Sequence, residues 1–232
     1  MKIGLLLSEH VRPGFRAVAG DYPDFFARFF AEEPQIDFQT FDLSSDEFPT
    51  DLDGCDAWLI SGSRRSVYED EPWILRLAEL VRRLDQERRK VVGICFGAQM
   101  IGHALGGEVA RAPNGWQVGI KEVTVKAPQP WMIPPVDTFR ILHSNADQIL
   151  RVPDRLEVLG SSDGVPITMV AVEDHILGFQ GHPEFPSAYA AVLMEARRGL
   201  ISEELVDAGL DSLANVPDTR LLSGWITRFM SE

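Results

Sequence analysis

The stretch Val91-Val-Gly-Ile-Cys-Phe-Gly-Ala-Gln-Met-Ile-Gly-His-Ala-Leu105 decides how the rest of the chain is read. A basic run, Arg88-Arg-Lys90, leads into four small or β-branched residues, which read as a short buried strand. Gly93 and Gly97 then bracket Cys95. Behind Gly97 the apolar residues Ala98, Ile101, Ala104 and Leu105 recur at helical spacing, and Gly106-Gly107 closes the helix. Strand, sharp turn and helix, with a thiol at the turn, is the pattern of a nucleophile elbow, where flanking glycines leave space that Cβ atoms would fill. The helix N-terminus favours negative charge and offers free N–H groups, so it lowers a thiol pKa and can bind an oxyanion. The alternative is that Cys95 is a small buried packing residue, as free cysteines often are.

A second segment supplies what such a thiol needs. Gly178-Phe-Gln-Gly-His-Pro-Glu-Phe185 closes the last expected strand. Alternation along a strand puts His182 and Glu184 on one face, and Pro183 between them fixes φ and stiffens the pair. A histidine that takes a thiol proton needs a carboxylate to set its tautomer and stabilise its imidazolium form. Cys95, His182 and Glu184 thus carry the chemistry of a Cys-His-Glu triad, provided the strand ends meet. In an open parallel sheet both segments fall at the carboxyl ends of strands, where functional loops gather. Taken singly, His182 reads as a strand-end histidine and Glu184 as a surface carboxylate. Two segments that each complete the other's chemistry argue against that pair of coincidences.

Composition narrows the class. The 232 residues are enough for one large domain or two small ones, and 45% hydrophobic with 25% charged residues is ordinary for a soluble globular protein. The net charge is −13 and no basic stripe stands out, so nucleic acid and anionic membrane surfaces are not expected partners. No apolar run is long enough to span a bilayer, and the run Ile3–Leu7 is too short for a signal peptide, so a cytoplasmic location is expected. Cys55 and Cys95 form no metal-type cluster, and a disulfide between them is not expected in a reducing compartment.

Strands are expected over residues 2–7, 36–41, 56–60 and 91–94, alternating with helices, which indicates a parallel α/β sheet. Residues 11–20 read as a loop. Asp21 caps a helix carrying Phe25, Phe26, Phe29 and Phe30 and ending near Pro34. Pro72 opens a helix with Ile74, Leu77, Val81 and Leu84 on one face. Residues 108–111, 118–126, 138–142, 156–161, 167–172 and 176–180 read as further short strands, partly an antiparallel extension. Residues 127–137 are a proline-rich loop, and helices are expected at 187–198, 202–207 and 218–230. No internal repeat interrupts the chain, and one domain over residues 1–232 is expected, with a core in 1–190 and C-terminal helices in 191–232.

The quoted residues resemble the class I (triad) glutamine amidotransferases. Gly93-Ile-Cys-Phe-Gly-Ala-Gln99 is similar to that family's nucleophile segment, and Gly181-His-Pro-Glu-Phe185 to its His-Pro-Glu end. Leu59-Ile-Ser-Gly-Ser63 stands where the family has its oxyanion strand, and Ser144-Asn-Ala-Asp-Gln148 where it has a loop contacting the substrate's α-amino and carboxylate groups. Ser61-Gly-Ser63, the segment Tyr68–Ile74 and the Gly115-Trp116 pair are closest to the free-standing group related to the amidotransferase domain of GMP synthase, which includes γ-glutamyl peptidases. The chain departs from many relatives in having Ser63 for glycine and Asn145 for histidine.

The resemblance implies a flavodoxin-like single domain with a mostly parallel open sheet, helices on both faces and a small antiparallel extension. It implies that Cys95 attacks a γ-glutamyl carbonyl to give a thioester, with the oxyanion held by backbone N–H groups near Gly62 and of Phe96. His182 would protonate the departing amine and then activate water. Gln99, unless it is only helix-surface polarity, would orient the substrate amide, and Ser144 and Asn145 would hold its α-substituents. No metal or cofactor is implied. Three roles stay open: a glutaminase subunit passing ammonia to a separate synthetase, since no P-loop is present; a γ-glutamyl peptidase acting alone; and a non-catalytic regulatory module on the same fold. His103 is read as structural and Cys55 as packing, while His10, His143 and His175 are given no catalytic role, although His143 lies beside the proposed binding loop.

Overall fold

The structure, a computed structural model, describes residues 1–33 and 36–232. The first half runs β1 (Lys2–Leu7), α1 (Pro13–Ala19), α2 (Tyr22–Phe29), β2 (Asp37–Asp42), β3 (Ala57–Ile60), α3 (Pro72–Gln86), β4 (Lys90–Ile94) and α4 (Phe96–Ala104). The second half runs β5 (Glu108–Arg111), β6 (Gln117–Val125), β7 (Thr138–Asn145), β8 (Asp147–Arg151), β9 (Glu157–Ser162), β10 (Val165–Val172) and β11 (Ile176–Phe179), then α5 (Ser187–Glu195), α6 (Glu203–Ser212) and α7 (Thr219–Ser231).

Nine strands form one sheet in the order β2-β1-β3-β4-β11-β10-β9-β6-β7. The strands from β2 to β11 are mutually parallel, and β10, β9, β6 and β7 continue the sheet antiparallel. β5 and β8 make a separate two-stranded antiparallel sheet. β4 therefore sits inside the sheet between β3 and β11, as its nearly all-apolar sequence requires of a strand covered on both faces.

Period-two alternation sorts the core. Ile3, Leu5 and Leu7 of β1, with Val92 and Ile94 of β4, face a layer built by Phe25, Phe26 and Phe29 of α2 and Trp225 and Phe229 of α7. Leu6 and Val91 face the other layer, where α3 contributes Ile74, Leu77, Val81 and Leu84 and α4 contributes Met100 and Ile101. The α/β domain is thus covered on both faces, and its C-terminal helices belong to the same core as the sheet. α2 begins with a reciprocal cap between Asp21 and Asp24, and α3 begins with Pro72, whose missing N–H costs nothing in the first turn.

Two local expectations change. Residues 13–19 are a helix, not loop: Pro13 opens it and Gly20 ends it at φ 91°, but none of its residues is buried, so it carries no apolar stripe to announce it. The segment 144–148 is no loop, because β7 runs on to Asn145 and β8 starts at Asp147. α2 is assigned to Phe29 with its cap at Phe30, and the expected end near Pro34 lies outside the described residues.

Candidate active site

β4 delivers Cys95 at its carboxyl end, in the interior of the sheet. The residue has φ 52° and ψ −102°, a strained conformation for a side chain with a Cβ, and it forms the N-cap of α4. Space for that turn comes from its glycines. A Cβ on Gly93 would lie 2.5 Å from the carbonyl carbon of Gly97, and one on Gly97 would lie 2.5 Å from the Ile60 oxygen. The Cys95 N–H donates to Phe179 of β11 at 2.7 Å, and its carbonyl accepts from the Gln99 N–H at 2.9 Å. The first N–H groups of α4, Phe96 among them, have no carbonyl a turn earlier in the helix to bond. The ring of Phe96 is buried on the α3 side against Trp73, so only its backbone faces the site.

His182 arrives just past β11. Its N–H donates to the Leu142 carbonyl at 2.7 Å, which ties it to β7 of the antiparallel extension. Its Nδ1 is 2.8 Å from Glu184 Oε1, and both side chains are buried. Glu184 Oε2 has no partner among the described residues. Phe185 stacks on the imidazole at 3.8 Å between centroids and 16° between planes. Burial alone would pull the imidazolium down, but the charge of Glu184 and hydrogen bonding and charge at Cys95 outweigh it, and the His182 pKa rises to about 10. With Nδ1 held by Glu184, Nε2 is the nitrogen left for the thiol. Gly62 stands directly against this ring: a Cβ there would come within 2.8 Å of His182 Cε1.

A cavity of about 280 Å³ opens over Cys95 and His182 and is lined also by Gln99, Ser144 and Asn145. Gln99 is buried, and its Nε2 donates to the Asp147 carbonyl at 2.8 Å and to Gln180 Oε1 at 3.1 Å. Gln180 Nε2 in turn donates to Cys95 Sγ at 3.6 Å. Asn145 Nδ2 donates to the same Asp147 carbonyl, and Ser144 Oγ accepts from Arg197 Nη1 at 2.6 Å. The sequence reading gave no role to Gln180 or Arg197. Gln180 had a signal, since it precedes His182 by two on the same strand edge; Arg197, fifteen residues beyond His182 in the sequence, had none.

The remaining titratable groups serve elsewhere. His143 is fully buried beside Asn145, and burial drops its pKa to about 3, so it is a neutral neighbour of the site. His175 bonds Asp85 at 2.9 Å at the opposite end of β4, and both cysteines are free. Glu173, Asp174 and His175 lie close enough together for a cation, but Arg88 and Arg155 already pair with the carboxylates. Among the described residues no helix is long and apolar enough to cross a membrane.

The structure thus brings a strained cysteine before a helix and a buried histidine–carboxylate pair from the neighbouring strand to one end of a 2-1-3-4 parallel sheet. The glutamine amidotransferase class-I family matches residues 33–194, and the chain belongs to that family. It is 32% identical to Gamma-glutamyl peptidase 2 of Arabidopsis thaliana over 214 residues, spanning 88% of this chain and 85% of the relative. It is 29% identical over 140 residues to the glutamine-hydrolyzing GMP synthase of Porphyromonas gingivalis, covering 60% of this chain and 26% of that protein. The fold matches the crystal structure of a glutamine amidotransferase from Thermotoga maritima with a TM-score of 0.79 over 99% of both chains, at 18% identity. Family and relatives together support amide hydrolysis.

Proposed function

We propose that the chain hydrolyses γ-glutamyl amide bonds through a thioester on Cys95, with His182 as proton carrier and Glu184 as the group that orients and charges it. The observation that carries this reading is a buried His182 bonded through Nδ1 to Glu184 at 2.8 Å, beside a cysteine in an elbow. An imidazolium next to a thiol holds the thiolate, the nucleophilic form. The thiolate attacks the γ-carbonyl, and the oxyanion forms towards the N–H groups of Phe96 and the Gly62 turn; one such donor is worth about 2.7–4 kcal/mol in the transition state. His182 gives its proton to the leaving nitrogen, the amine departs, and the acyl group stays on sulfur. His182 then takes a proton from water, hydroxide attacks the thioester, and glutamate leaves with the thiolate restored. Ser144 and Asn145 face the α-substituents, and Gln99 holds the wall between them and the nucleophile.

Within this chemistry the peptidase role, acting without a partner, fits best, because the relative named for that activity is matched along most of both chains. The second role, an ammonia donor to a separate synthetase, is favoured by the shorter match to GMP synthase. The test is a panel of γ-glutamyl peptides and glutamine, read as glutamate released by the purified chain and by Cys95→Ser. Release from peptides by the chain alone, absent in Cys95→Ser, is the expected result. Equal turnover by Cys95→Ser would overturn the nucleophile assignment.

A further inference from the structure

The arginines of this acidic chain are almost all neutralised in place. Among the described residues, every arginine except Arg12, Arg111 and Arg197 bonds a carboxylate or a backbone carbonyl. All three exceptions line the cavity over Cys95. Arg197 is part-buried, and its polar partner is the neutral hydroxyl of Ser144. Burial pulls its guanidinium down to about 10, so it stays charged at neutral pH. Arg197 and Arg111 also both lie against Trp116, at 4.5 and 5.5 Å from the ring centroid. Two guanidiniums thus lie within cation–π distance of one indole, and a guanidinium's fork of N–H donors suits bidentate carboxylate recognition.

The carboxylates that line the same cavity, Glu9 and Asp147, are already bonded by Arg64 and Ser66, so the half-buried Arg197 has no carboxylate partner among the described residues, and part of its burial cost is recovered when an anion arrives. The γ-glutamyl group brings a single carboxylate together with its own ammonium, and Arg197 beside Ser144 suffices for it. Arg111 and Arg12 then remain for a second one. Resting on the hydrolase reading above, we infer that the Trp116 end of the cavity, with Arg111 and Arg12, selects γ-glutamyl peptides whose amine-side residue ends in a free carboxylate. Glutamine, whose leaving group is ammonia, leaves this end of the site empty.

The test compares γ-glutamyl-alanine with γ-glutamyl-alaninamide, which differ only in that terminal carboxylate. Turnover by the native chain is expected to favour the free acid about 10–100-fold in kcat/KM, the range a charge-assisted hydrogen bond supplies. In Arg111→Gln the ratio falls towards one. Binding of the same two compounds to Cys95→Ser, measured by calorimetry, separates this inference from the catalytic one. A preference for the acid in binding, with no turnover by the native chain, would keep the carboxylate site and discard the hydrolase reading. Equal binding and equal turnover, no binding of either compound, or an unchanged ratio in Arg111→Gln would overturn the inference.

Discussion

The elbow is sterically closed, and Gly93→Ala measures how tightly. The new Cβ would sit 2.5 Å from the Gly97 carbonyl carbon, 2.6 Å from its oxygen and 2.7 Å from the Ala98 nitrogen. All three are backbone atoms of the first turn of α4, so no side chain can swing aside. Ordinary contact begins near 3.4 Å, so helix and strand must part by about 0.9 Å (3.4 less 2.5). The helix has no slack on its other flank, since even a Cβ on Gly97 would lie 2.5 Å from the Ile60 oxygen in β3. Overpacking of this kind costs about 1–3 kcal/mol. A shift of about 1 Å at a nucleophile costs on the order of 100-fold in rate. The assay pairs a urea midpoint, read by tryptophan fluorescence, with glutamate release. Gly14→Ala is the control: it lies in exposed α1, its Cβ meets nothing within 4 Å, and it should be neutral or more stable by up to about 1 kcal/mol. A Gly93→Ala chain with native midpoint and native rate would refute the steric account of the elbow.

Three other outcomes follow from the same geometry. The folded pKa of His182 is raised from 6.5 to about 10, so the stability it contributes is complete below pH 6.5 and is lost as pH rises towards 10. Glu184→Gln removes the largest raising cause, so the fall in urea midpoint between pH 6 and pH 9.5 should be smaller than in the native chain, and an equal fall would discount the pair. Gln180→Leu deletes the N–H that reaches Cys95 Sγ; about a tenfold loss in kcat at a retained midpoint is expected, and unchanged alkylation and turnover would reduce Gln180 to packing. Asp85→Asn breaks the buried contact with His175 and the bond to the half-exposed Arg155. It should cost about 2–3 kcal/mol in denaturation and leave glutamate release untouched, since that cluster adjoins the opposite end of β4.

What could be read from the sequence follows how local each signal is. β4, its elbow and α4 were legible because an all-apolar strand, two glycines and a helical stripe stand within fifteen residues. The pairing of His182 with Glu184 was legible because alternation along a strand is a short-range rule. α1 was not, because a helix with no buried residue leaves no periodic pattern. β8 was missed because Gln148 and Ile149 are buried by a partner strand, β5, more than thirty residues earlier in the chain, and no local feature marks that pairing. Arg197 was missed for a similar reason: its position in the turn just past α5 says nothing of Trp116, which reaches it from the segment before β6.

The antiparallel half of the sheet explains why the site is where it is. A parallel sheet by itself puts Cys95 and His182 at adjacent strand ends, but nothing in it fixes the chain after β11. That chain is fixed by Leu142 of β7, whose carbonyl takes the His182 N–H, and by Phe185, which stacks on the ring. β7 also ends in Ser144 and Asn145, so the strand that anchors the histidine carries two residues that line the cavity over Cys95. The uncompensated groups gather there too: a strained Cys95 and, among the described residues, a Glu184 oxygen without a partner and three arginines without carboxylates. Conflicts with local rules are expected where function requires them, and their concentration around one cavity is the physical reason to place the chemistry in it.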